Sequence, residues 1–77
     1  MNKERRKSLA TIVEQLEALR DELEELKDEE QECFDNMPEG MQSGERGESA
    51  EEAVSSLEEA FDSIDSAIDS INNAIDQ

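Results

Sequence analysis

The second half of the chain repeats every seven residues, and the repeat is three stripes wide. Counting Ala50 as position a, the a positions are Ala50, Leu57, Ile64 and Ile71. The d positions are Ala53, Ala60, Ala67 and Ala74, and the e positions are Val54, Phe61, Ile68 and Ile75. Apolar residues at spacings of three and four line one side of an α-helix. A period of seven keeps that side turned toward a neighbouring helix along its length. Positions f and g carry only Ser, Asp and Gln, so the opposite side is polar. A face that spans a, d and e suits more than one neighbour. The chain must therefore fold as a helix packed by several others.

One neighbour lies in the first half. Leu9, Ile12, Leu16, Leu19, Leu23 and Leu26 alternate at spacings of three and four, and Glu30 and Cys33 keep the register. This gives a positions 9, 16, 23 and 30, and d positions 12, 19, 26 and 33. The e positions are Val13, Arg20, Lys27 and Phe34, half of them apolar. No Gly or Pro falls between Ser8 and Asn36, and the strong helix formers Glu, Leu, Lys and Gln dominate. The pattern predicts a helix over 3–36. Its d position predicts that Cys33 is a buried, inert thiol.

The two periodic halves are separated by Asn36-Met37-Pro38-Glu39-Gly40 and by Gly44 and Gly47. Proline disfavours helical geometry at the residue before it, which ends the first helix. Pro38 to Gln42 has room for one helical turn with proline at its first position. Ser49 with Glu52 has the form of a capping box and predicts a second helix over 49–76, leaving a loop over 37–48. The whole chain, 1–77, then reads as one all-α domain, an antiparallel two-helix hairpin. Phe34 is expected near Ala50 and Leu9 near Ile75. Lys3, Arg5, Arg6 and Lys7 are expected beside Asp69 and Asp76, where opposite charges offset two unfavourable helix-dipole placements.

One partner helix leaves part of the wide face uncovered. Exposing Val54, Phe61, Ile68 and Ile75 would forfeit roughly 1.5–3 kcal/mol each. A second hairpin would cover them, giving a homodimeric four-helix bundle with an interface of Val54, Phe61, Ile68 and Ile75 flanked by Leu57, Ile64 and Ile71. Length supports this, because a chain of 77 residues has a small core and needs a staple. With one cysteine and no histidine, neither an internal disulfide nor a structural zinc site is available. A lone thiol points to a reducing cytosol. No apolar stretch follows the basic start as a secretory leader requires, and none approaches a membrane span.

Chemistry has little to work with. The commonest general base is absent, and the carboxylates fall on polar helix positions with no pocket to raise a pKa. Gly40, Gly44 and Gly47 follow no strand and precede no lysine, so they form no phosphate loop. Asp62, Asp65 and Asp69 lack the spacing of a calcium loop. The expectation is a protein that is not an enzyme and holds no cofactor or metal.

Charge is the remaining signal. Twenty-three acids against seven bases give −16. Residues 1–8 carry four bases and one acid, or +3, so residues 9–77 carry −19. Such a body repels nucleic acid and anionic lipid and attracts basic protein surfaces. Nine of the fifteen residues from Asp21 to Asp35 are acidic. On this helix Glu17, Asp21, Glu24, Glu25, Asp28 and Glu32 point away from the seam and form the candidate partner-binding row. Carboxylates three or four residues apart on a helix lie about 5–6 Å apart at Cβ. A duplex strand places a phosphate every ~3.4 Å, a comparable density. Two readings stand: a solvated face that maintains solubility, or a row that substitutes for a phosphate backbone.

The stretch Phe34-Asp35-Asn36-Met37-Pro38-Glu39-Gly40-Met41-Gln42-Ser43-Gly44-Glu45-Arg46, between an acidic helix and an Ala/Ile heptad helix, resembles small acidic helical-hairpin proteins of phages and prophages. That group has no assigned chemistry, so the resemblance carries no site residues. It implies a context in which tiny acidic proteins bind host proteins, including the nucleic-acid-binding machinery of host defence, and mask them as DNA mimics. The expected partners are thus a second copy and a basic host protein, with neither nucleic acid nor membrane bound directly. The alternative is a structural or adaptor homodimer whose acidic face only provides solubility.

Overall fold

Two long helices account for most of the chain. The computed structural model describes residues 1–77: α1 is Lys3–Asp35, α2 is a single turn Glu39–Gln42, and α3 is Glu45–Ile75. The first helix starts where Asn2 accepts the Arg5 backbone N–H on its side-chain oxygen at 2.8 Å, satisfying a donor that a helix start leaves free. It ends at Asn36, whose N–H donates to the Glu32 carbonyl, two residues before Pro38. Gln42 Nε2 then donates to the Phe34 carbonyl at 3.0 Å. The same carbonyl also accepts the Met37 N–H, and the added bond from Gln42 ties the short turn to the end of α1. Pro38 stands just before that turn as its cap, and its carbonyl accepts from Met41 and Gln42.

α3 begins at Glu45, four residues ahead of the Ser49 start that the capping box suggests, so Ser49 and Glu52 lie inside the helix. Two features favour the earlier start. Glu45 and Glu48 place negative charge at the positive end of the helix dipole. Gly47, which is buried, lets the first turn of α3 press on the end of α2. A Cβ at that position would lie 2.6 Å from the Gln42 Cα and would overlap the Gln42 carbonyl. Alanine is the better helix former by about 0.8–1.0 kcal/mol. Gly47→Ala should nevertheless lower stability by roughly 1–3 kcal/mol, the usual cost of overpacking against backbone. Thermal denaturation checks this, and a stabilised variant would refute the close approach.

The long helices run antiparallel. Arg20 Nη1 meets Asp65 Oδ1 at 2.6 Å, and Lys27 Nζ meets Glu58 Oε1 at 3.9 Å. Seven residues forward on α1 are thus seven residues back on α3. The Arg6 guanidinium donates to the Gln77 main-chain oxygen in the same register. The basic head therefore lies beside the end of α3 as its sequence suggests, but its contact there is Gln77 and not the carboxylates of Asp69 or Asp76.

The seam differs from the expected a/d pairing. On α1 the covered and half-covered residues are Leu9, Val13, Leu16, Arg20, Leu23, Lys27, Glu30 and Phe34, which are the a and e positions. On α3 the most covered side centres on e: Val54 is 8% exposed and Ile68 6%, while Phe61 and Ile75 are half-buried. The helix pair alone therefore covers Val54 and Ile68, correcting the view that these two need a second chain. Leu57, Ile64 and Ile71 are half-buried at the shoulder of the seam. The d positions of α1 turn outward, with Leu19 at 56% and Leu26 at 54% exposure, and Cys33 is exposed rather than buried.

Arg20 and Lys27 explain the shift. Their apolar stems lie along the seam while their charged heads reach its edge, so two basic e positions serve as core. The Arg20 guanidinium also stands 5.7 Å from the Phe61 ring centroid, a cation–π arrangement. The product is a rod of 58 × 15 × 12 Å.

Candidate partner-binding surface

The rod has two unlike flanks, divided by the seam. On the first, Glu17, Asp21, Glu24, Glu25, Asp28 and Glu32 are all exposed. The structure keeps them together as a row on α1 and extends the row across the seam. Glu24 and Lys27 share a groove with Glu58, Phe61 and Asp62 of α3. Glu58, Asp62 and Asp65 thus join an acidic flank that the α1 sequence alone does not complete. The antiparallel register sets the basic e positions of α1 against the b positions of α3, where Glu58 and Asp65 stand, but only once e and not d is the stripe of α1 that enters the seam.

Arg20 and Lys27 are the only cations between Ser8 and Glu45, and both are already engaged. Arg20 reaches Asp65 at 2.6 Å and Asp21 at 3.2 Å. The hydrogen bond to Asp65, followed by that to Asp21, raises the Arg20 pKa above its ordinary value. A raised folded pKa adds stability that is lost only as pH climbs through that value, so this guanidinium stays charged throughout the working range. Lys27 lies 3.7 Å from Asp28 and 3.9 Å from Glu58. These side chains lower repulsion within the row from beneath it and leave the outermost carboxylates free.

The carboxylates form a line and not a cage: no three of the Asp, Glu or Cys side chains converge as a metal site requires. No buried side-chain polar atom lacks a hydrogen-bond partner, so none waits for a ligand. No helix is long and apolar enough to cross a membrane.

The second flank is apolar. Leu19, Leu23 and Leu26 of α1 and Ile64 of α3 line a shallow groove with Glu22 at its rim. Ile12, 42% exposed, continues the ridge toward the start of α1.

No family model, curated protein or solved structure matches this chain. The two flanks, each built from residues of both helices, are accordingly the whole basis for a functional reading.

Proposed function

We propose that this chain is a small acidic interaction protein that masks a basic, nucleic-acid-binding surface on a partner, in the manner of a phage-type DNA mimic directed at a host defence protein. One observation carries the reading. The acidic row is exposed along a rigid rod, while the only cations in its region are held at the seam by Asp65, Asp21, Asp28 and Glu58. A partner approaching this flank meets carboxylates and no competing free cation. Like charges at helical spacing cost helix stability, so solubility alone is a weak reason to concentrate so many on one rod. The acting unit in this reading is a cytosolic homodimer built as a four-helix bundle, which binds neither nucleic acid nor membrane directly.

The reading is tested by capture from a host extract on the immobilised chain, followed by competition. Captured protein should be released by duplex DNA and by rising salt, since charge masking weakens as ions screen it. Capture that resists both would refute masking.

The exposed ridge of Ile12, Leu19 and Leu26 favours a second reading, a structural or adaptor homodimer whose acidic flank serves solvation. In that case partner binding is apolar and nearly independent of salt.

A further inference from the structure

We infer that the ridge Ile12–Leu19–Leu26 docks a second copy of this chain, α1 against α1, about a two-fold axis that crosses the rod at Leu19. The inference rests on the homodimer reading above and supplies what that reading leaves open: which face is used and which way the two copies run.

The face follows from exposure. Val54 and Ile68 of the α3 e stripe are already covered within the hairpin and Phe61 and Ile75 half-covered, whereas Leu19 and Leu26 are more than half exposed. They share an apolar groove with Leu23 and Ile64, so the unpartnered surface spans both helices. A second copy also offers charge complementarity, because residues 1–8 carry +3 while nine of the fifteen residues from Asp21 to Asp35 are acidic.

The direction follows from charge. Two hairpins can pack face to face about an axis along the rod or an axis across it. An axis along the rod gathers both basic heads at one end and the acidic turns, with Glu39, Glu45 and Glu48, at the other. An axis across the rod sets each basic head against the acidic end of α1 in the other copy. Leu19 is the midpoint of Lys3–Asp35. A two-fold there brings Leu19 onto Leu19, Ile12 onto Leu26, and Arg5 beside Cys33 and Glu32 of the second copy. The residues flanking the ridge then pair as Glu22 with Gln15 and Glu29 with Ser8, so no acid faces an acid along the contact. The acidic flanks stay outside, one on each side of the dimer.

The test is thiol cross-linking in a Cys33→Ser background, with oligomeric state read by sedimentation equilibrium before oxidation. Leu19→Cys replaces an exposed side chain, so the hairpin is retained, and circular dichroism verifies this for each variant. Facing cysteines satisfy the short Cα separation a disulfide requires. Leu19→Cys should form near-complete covalent dimers. Ile12→Cys mixed with Leu26→Cys should link at a rate at least about ten-fold above that of either alone, as the effective concentration of facing thiols dictates. A dimer in which Leu19→Cys stays unlinked, or in which Ile12→Cys links to itself, overturns this geometry and leaves the homodimer standing. A monomer at micromolar concentration overturns both.

Discussion

Replacing Ile68 with Asp should unfold this protein. Ile68 is 6% exposed and belongs to the most covered stripe of α3. In the register set by Arg20 on Asp65, it lies close to the level of Leu16 on α1. The substitution removes about 1.5–3 kcal/mol of apolar burial. It also places a carboxylate in the seam with no built partner, an effective penalty of several kcal/mol. Against this, a chain of 77 residues at 0.05–0.15 kcal/mol per residue has a total stability on the order of 4–12 kcal/mol. The far-UV helical signal at room temperature should therefore collapse at every protein concentration. Ile12→Asp makes the informative comparison. Both residues are isoleucines in heptad stripes, but Ile12 is 42% exposed, so the same change removes much less from the hairpin. Its unfolding midpoint should fall by far less, and by an amount that depends on protein concentration. Equal losses in the two variants would contradict a seam centred on α3 position e.

That contrast also marks how far the sequence could be read. Two helices, their antiparallel order and their register follow from periodicity and from Pro38, because both are properties of the local chain. The choice of stripe does not. On α1, positions a, d and e are neighbours on the helix surface, and an apolar d stripe competes with an e stripe interrupted by Arg20 and Lys27. By residue type, d wins. The structure selects e because long basic side chains cover apolar surface with their stems and discharge their heads on Asp65 and Glu58 of the other helix. That benefit appears only once the partner helix is in place. The d position of Cys33 predicts burial for the same reason, yet its stripe faces outward and the thiol is exposed.

The start of α3 failed differently. Ser49 and Glu52 have the spacing of a capping box, and Gly47 has the look of a loop residue. A tertiary contact overrides both: Gly47 is where α3 passes so close to Gln42 that no side chain fits. The acidic row was legible in full, since exposed positions on one helix need only the period to be placed. Its continuation through Glu58 and Asp62 was not, because it depends on which side of the seam α3 presents.

Replacing Glu17, Asp21, Glu24, Glu25, Asp28 and Glu32 together with Gln should abolish partner binding at physiological salt while leaving the fold intact. All six are exposed, so none contributes to the seam. Glutamine preserves side-chain size and helix propensity closely at the Glu positions and improves propensity at the Asp positions. Two ion pairs are lost, Arg20 with Asp21 at 3.2 Å and Lys27 with Asp28 at 3.7 Å. Both carboxylates in these pairs are about two-thirds exposed, and pairs of this kind are worth about 0–1 kcal/mol. Arg20 keeps Asp65 and Lys27 keeps Glu58, so the contacts that join the helices survive. Six fewer like charges on one rod offset the rest, and the melting temperature should hold or rise. Binding should respond in the opposite sense. A row of charge that steers a basic partner raises association rates by about 10- to 1,000-fold, and that gain should vanish with the row. The dependence of affinity on salt should flatten in parallel, because fewer ions are released or screened on contact. Association kinetics at two salt concentrations, measured on the partner captured by the native chain, separate the readings. Unchanged affinity at low salt would rule out the row as a phosphate substitute and leave the acidic flank as a solvating surface of an adaptor.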